Sequence, residues 1–140
     1  MAQLLPFLGH HPFLVSLFIV ILIAWIALEF WRLGAQQGID VNQAILLLNR
    51  EEAKVIDIRE AADYRKGHIV NASNIPEARL AEELPRLKLA KERPLIVCCA
   101  SGLRAPQAAK QVRAAGFERV HVLKGGIQGW QEAGLPLERK

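Results

Sequence analysis

Between Phe13 and Phe30 the chain reads FLVSLFIVILIAWIALEF, and Ser16 and Glu29 are the only polar side chains in that run. With Pro12 and Trp31 it reaches about 20 residues, enough for a helix to cross a hydrocarbon core of ~30 Å. This segment organises the rest of the chain. It predicts an N-terminal tail over residues 1–11, a transmembrane helix over 12–31 in contact with membrane lipid, a polar Gly-bracketed linker over 32–38 and one folded domain over 39–138. Trp25 and Trp31 fall toward the C-terminal end of the span, and Glu29 and Arg32 are expected at the interface, where charge is tolerated. A cleaved signal peptide is the competing reading. Residues 1–12 hold no Lys or Arg, the apolar run is too long for an ordinary signal core, and no A-x-A-like site follows, so the anchor is preferred.

Only His10 and His11 flank the span on one side, whereas Arg32 and Arg50 follow it, and the positive-inside rule therefore places the C-terminal domain in the cytoplasm. Cysteine usage agrees. Cys98 and Cys99 are neighbours, with Cα atoms about 3.8 Å apart, whereas a disulfide normally needs ~4.4 Å or more. A chain without a disulfide framework and with a working thiol suits a reducing compartment.

The order of patterns after the linker is that of an α/β domain. Asn42 is placed to cap a helix through Gln43–Glu51, whose Ala44, Leu47 and Leu48 form an apolar face. Lys54–Ile58 reads as an interior strand, Glu60–Lys66 as a short helix stopped by Gly67, and Ala72–Ile75 as an extended piece before a turn at Pro76. A polar helix over Glu77–Leu84 is expected to end at Pro85. Then follow a strand over Pro94–Cys98, a helix over Ala105–Ala115 with Gly116 beyond its end, a strand over Arg119–Leu123 and a helix over Gly126–Ala133. Strands alternating with helices imply a mainly parallel sheet covered on both faces, with ligands at the carboxyl ends of its strands.

Cys99 falls at such an end. The strand breaks there into the small-residue loop Ala100-Ser101-Gly102-Leu103-Arg104, and a helix opens at once with Pro106 in its first turn. A strand-end cysteine is commonly no more than a small buried hydrophobe. Here the backbone N–H groups of Ala100 to Arg104, the positive end of the following helix and the Arg104 guanidinium are all expected to aim at one sulfur atom. A sulfur so placed ionises readily and suits chemistry in which Cys99 takes up a group and gives it away.

Charge and motif content exclude other classes. The chain carries 18 Lys and Arg against 14 Asp and Glu, but the cations are mixed with acids, as in Lys91-Glu92-Arg93, with no run of five and no aromatic-rich strand for base stacking. Nucleic acid is therefore not expected as a partner; anionic headgroups or small anionic substrates account for the basic balance. His68 and His121 lack cysteine or carboxylate at ligand spacing, and no glycine-rich nucleotide fingerprint occurs, so neither a metal nor a cofactor is expected. Gly125-Gly126 reads as a turn.

With these residues in view, the chain resembles the single-domain rhodanese family, sulfurtransferases that carry a persulfide on a loop cysteine. Val55–Pro76 (VIDIREAADYRKGHIVNASNIP) is similar to the family's first signature, Ile96–Ala105 (IVCCASGLRA) to its active loop, and Leu123–Pro136 (LKGGIQGWQEAGLP) to its closing signature. The resemblance extends over about residues 39–138, the whole expected domain. The resemblance implies a rhodanese-like, mainly parallel sheet with helices on both faces, Cys99 as sulfur acceptor, and Ala100, Ser101, Gly102, Leu103 and Arg104 as the loop that holds the substrate. It also implies structural roles for Asp57 and Arg59 at a strand end, His68 in a turn and Trp130 in the core. An N-terminal anchor of this kind resembles a bacterial inner-membrane subgroup of the family. Partners implied are a small sulfur donor or acceptor, a protein thiol, and other membrane proteins. The chain departs from many members in having Ala105 where they have serine, and one loop arginine where they have two or three, which counts against efficient use of free thiosulfate.

Two other functions compete. Related cysteine phosphatases use Cys-x5-Arg, because a tetrahedral phosphate needs a wider cradle than one sulfur atom; Arg104 is at the shorter Cys-x4-Arg spacing from Cys99 and at the longer one from Cys98. Cys99 is preferred because Cys98 completes the strand, because the phosphatase pattern wants His at Val97, and because Ala105 lacks its hydroxyl. A membrane-tethered interaction module that keeps the fold and turns over little is the other alternative.

Overall fold

The computed structural model describes residues 11–34 and 38–139, so most of the expected tail and residues 35–37 of the linker lie outside the described residues. The chain divides into two compact units, Met1–Gln37 and Gly38–Lys140.

The first unit is built on α1 (Pro12–Gly34), whose 23 residues make a helix about 35 Å long at ~1.5 Å per residue. Over Pro12–Phe30 its mean hydropathy is 2.7 and none of it is buried within the molecule, so this helix is long and apolar enough to cross a membrane. Phe13, Phe18, Trp25 and Phe30 are all exposed. Ser16 donates its hydroxyl to the Phe13 carbonyl at 2.9 Å, which satisfies that polar group within the helix.

In the second unit the order is α2 (Val41–Arg50), β1 (Lys54–Asp57), α3 (Ala61–Lys66), β2 (Ser73–Asn74), α4 (Leu80–Glu83), β3 (Leu95–Cys98), α5 (Ala105–Ala114), β4 (Val120–Val122) and α6 (Gly126–Glu132). The strands form one sheet in the order β2-β1-β3-β4, and every pairing is parallel. Alternation along the strands separates two cores. Ile56, Leu95, Val97, Val120 and Val122 face Ala105, Ala108, Ala109 and Val112 of α5 together with Leu80 and Leu84. Val55, Ile96 and Cys98 face Ala44 of α2 and Ile127 and Trp130 of α6 on the other side. The sheet is thus covered by helices on both faces, as the alternating pattern predicts. The chain leaves β1 toward β2 and returns past it to β3, so the order of strands reverses between β1 and β3, the position where open α/β sheets bind ligands.

Three local expectations are corrected. Asp40, not Asn42, caps α2: its carboxylate accepts from the Gln43 N–H at 2.7 Å, and the Gln43 side chain accepts from the Asp40 N–H at 3.0 Å. This reciprocal box requires extended backbone at the cap, which Asp40 has, whereas Asn42 already lies within the helix. The expected helix over Glu77–Leu84 is instead α4 between two 3-10 turns, Glu77–Arg79 and Leu84–Arg86. Pro85 sits inside the second turn, where its missing N–H leaves no bond unmade, and the burial of Leu80 and Leu84 sets the path. Finally, β4 is shorter than expected: Leu123 lies beyond its end, bridged in parallel to Ile39 and donating its N–H to the Val97 carbonyl at 3.1 Å.

Candidate active site

The residues after β3 run from Cys99 to Arg104 and lead directly into α5. Because side chains alternate, the two cysteines part company: Cys98 packs in the core beneath α2 and α6, and Cys99 turns to the α5 side. Burial, and then the nearby charge of Asp57, push the Cys98 thiol well above its ordinary value, which disfavours its thiolate. Cys99 is itself only 2 % exposed, its sulfur lying under the loop that it opens.

The Gly102 N–H donates to Cys99 Sγ at 3.0 Å. Of the five N–H groups expected to meet this sulfur, it is the one that does. Those of Ser101, Leu103 and Arg104 meet no protein acceptor among the described residues, which leaves them available to an anion at the loop. Two of the loop carbonyls are held by the start of α6. Ile127 N–H donates to the Cys99 carbonyl at 2.9 Å and Gln128 N–H to that of Ala100 at 3.0 Å, so the start of α6 grips the loop from behind. Gly126, in the left-handed region at φ +57°, makes this approach possible; a Cβ there would collide with the Cys99 carbonyl oxygen. Sequence reasoning took the paired glycines for a turn and missed this bracing, although two adjacent glycines in front of a helix were its visible sign.

Arg104 departs from expectation. Its guanidinium lies 3.7 Å from the carboxylate of Glu77, and no contact joins it to the sulfur. Glu77, which opens the turn after β2, was not singled out from the sequence; two loops at the same edge of a parallel sheet meet only once the sheet is assembled. Leu103 projects from the loop with 85 % of its surface exposed, and Ala100 and Ser101 are also exposed. Ala105 is fully buried, and no side chain caps α5, so a serine hydroxyl has no counterpart here.

Asp57, Arg59, His68 and Trp130 brace the fold around the loop. The Arg59 side chain donates to the Asp57 carboxylate at 2.7 to 3.1 Å and to the Gly67 carbonyl at 2.7 Å, within the core at the end of β1. Asn74 ties β2 to the same corner by donating to the Arg59 carbonyl at 2.8 Å. His68 stacks on Tyr64 with ring centroids 3.8 Å apart and bonds the Tyr64 carbonyl through Nδ1. Trp130 is buried and its indole N–H donates to the Pro136 carbonyl at 3.2 Å.

A parallel sheet wound on both sides, with a cysteine loop at the point where its strand order reverses, is the architecture of a rhodanese-like domain. Residues 40–133 match the Rhodanese-like domain family, and the chain belongs to it. It is 36% identical over 141 residues to the uncharacterized protein YibN of Escherichia coli strain K12, with 99% of each chain covered. It is 29% identical over 100 residues to the thiosulfate sulfurtransferase GlpE of Vibrio cholerae, covering 71% of this chain and 92% of that one. Among solved structures, the rhodanese-like domain of the Anabaena protein Alr3790 superposes with a TM-score of 0.67 at 30% identity, over 74% of this chain and 79% of that one. The chain is therefore a rhodanese-family protein with sulfurtransferases among its relatives.

Proposed function

We propose that this protein is a membrane-anchored sulfurtransferase that moves sulfane sulfur through a persulfide on Cys99, with Ala100, Ser101, Gly102, Leu103 and Arg104 holding the transferred atom. The observation that carries this is the Gly102 N–H on Cys99 Sγ, in a loop whose Ser101, Leu103 and Arg104 N–H groups meet no protein acceptor among the described residues. In the first half-reaction the Cys99 thiolate attacks the outer sulfur of the donor, an S–S bond forms on Cys99, and the donor's S–S or S–SO3 bond breaks with its electron pair leaving on the released thiolate or sulfite. The outer sulfur then carries the negative charge, and the loop N–H groups stabilise it as oxyanion-hole donors stabilise oxygen. An acceptor thiolate reverses the sequence.

The α1 helix is long and apolar enough for single-pass anchoring. We extend this to the inner membrane with the domain in the cytoplasm, because Arg32 and Arg50 follow the span. Anchoring favours protein thiols at the membrane surface as sulfur partners. After incubation with a sulfane-sulfur donor, intact-mass measurement should show one added sulfur atom on wild type and on Cys98→Ala, and none on Cys99→Ser. Loading of Cys99→Ser but not of Cys98→Ala would overturn the assignment and reopen the longer, phosphatase-like spacing. A second reading, a tethered interaction module with little turnover, draws on the exposed Leu103 and the engaged Arg104; a wild type that binds partners and gains no sulfur from any donor would favour it.

A further inference from the structure

Arg104 is the one cation in the Cys99 loop, and Glu77 stands against it at 3.7 Å with 30 % of its side chain exposed. Both belong to loops at the carboxyl edge of the sheet: Glu77 follows β2, and Arg104 follows β3. The Glu77 backbone is anchored independently, its N–H donating to the Ile58 carbonyl at 3.2 Å just beyond β1. That bond fixes where the Glu77 side chain starts, next to the Cys99 loop, whether or not the arginine pairs with it. Beside these charges stands Leu103, 85 % exposed, an apolar side chain at the mouth of a site whose nucleophile is covered.

Resting on the sulfurtransferase reading, we propose that Glu77 is a specificity-determining positioning residue: it occupies Arg104 and sets the loop against free dianionic donors, in favour of sulfur delivered as a persulfide on a thiol. The charges decide between the two. With thiosulfate, a thiolate and a dianion meet, and the products are the Cys99 persulfide anion and sulfite dianion. A site for that reaction draws on positive charge at its mouth, and Glu77 offsets part of what Arg104 offers. With a hydropersulfide R–S–SH, the Cys99 thiolate takes the outer sulfur together with its hydrogen and R–S⁻ departs, so one negative charge enters the reaction and one leaves it. Such a donor makes little demand on Arg104. Its carbon chain, or the apolar surroundings of a protein cysteine, meets Leu103 instead.

The test compares the rate of sulfur gain on Cys99 of the full chain in detergent, by rapid-quench intact mass, with thiosulfate and with the persulfide of 2-mercaptoethanol, which carries at most one charge. Glu77→Gln keeps the side chain's size and the backbone bond to Ile58. It should speed thiosulfate loading about fivefold to tenfold at low salt and change persulfide loading by less than about twofold. The gain should shrink as salt rises, because the groups are solvent-exposed and screened within ~10 Å at 0.1 M, a response that a merely structural role would not produce. Equal acceleration of both donors, no change with either, or a gain that salt does not reduce would overturn the role of Glu77 while leaving the sulfurtransferase reading intact. Absence of sulfur gain on wild type from both donors would overturn that reading and this inference together.

Discussion

The Cys99 carbonyl accepts from the Ile127 N–H at 2.9 Å, while the sulfur of the same residue accepts from the Gly102 N–H at 3.0 Å. One residue is thus held from both sides, by the start of α6 behind it and by its own loop in front. The loop's donor geometry is consequently a property of two segments far apart in the chain, and disturbing either should disturb the chemistry.

We predict that Gly126→Ala, whose Cβ would meet the Cys99 carbonyl, destabilises the domain by about 2 kcal/mol or more and lowers Cys99 sulfur loading at least about tenfold. Gly134 is the control. It too has positive φ, +75°, but nothing lies within 4 Å of a Cβ placed there, so Gly134→Ala should cost only about 1 kcal/mol and leave loading unchanged. Denaturant melts and mass measurements on both variants check this; equal behaviour would remove the loop-bracing role of Gly126.

Arg59 and Asp57 form a buried pair, their side chains 9 % and 0 % exposed. Removing one partner leaves the other charge desolvated, so Arg59→Met should cost about 3–5 kcal/mol, and the double variant Asp57→Asn/Arg59→Met should recover part of that loss. Urea unfolding of the isolated 38–140 unit gives both values. A double variant less stable than the single one would contradict the account.

His121 gives the domain a pH dependence. Its Nε2 is buried without a hydrogen-bond partner among the described residues, and burial, then the charges of Arg119 and Arg113, lower its pKa from 6.5, while Glu51 opposes them. A base whose folded pKa is depressed binds its proton more readily when unfolded, so its stabilising contribution is complete above pH 6.5 and is lost as pH falls through the lower folded value. The melting temperature of the 38–140 unit should therefore drop as pH is lowered from 7.5 toward 5.5, and His121→Gln should flatten that slope. An unchanged slope in the variant would assign it to other groups.

For the anchor, alkaline carbonate washing should leave the full chain in the membrane pellet, and the Gly38–Lys140 unit alone should be soluble and folded, since it is a compact unit with two hydrophobic cores of its own. External protease should spare the domain in intact spheroplasts. Digestion there, with the membrane sealed, would reverse the orientation.

Much of this molecule is written in local sequence. The unbroken apolar run over Phe13–Phe30 specifies a helix without a polar face, because composition alone decides which solvent such a segment suits. The β-branched runs at Val55 and Ile96, alternating with helical patterns, specify a parallel sheet with helices on both sides, and the neighbouring positions of Cys98 and Cys99 specify that they face opposite cores, since a strand turns its side chains every second residue. The tertiary structure alone decided what surrounds the sulfur. Which of the loop N–H groups reaches it depends on α6, 27 residues further along from Cys99 to Gly126, and the fate of the Arg104 charge depends on Glu77, 27 residues before it. Neither contact has a local signature, because a parallel sheet brings together the ends of strands that the chain keeps apart, and it is at those ends that charges and donors meet.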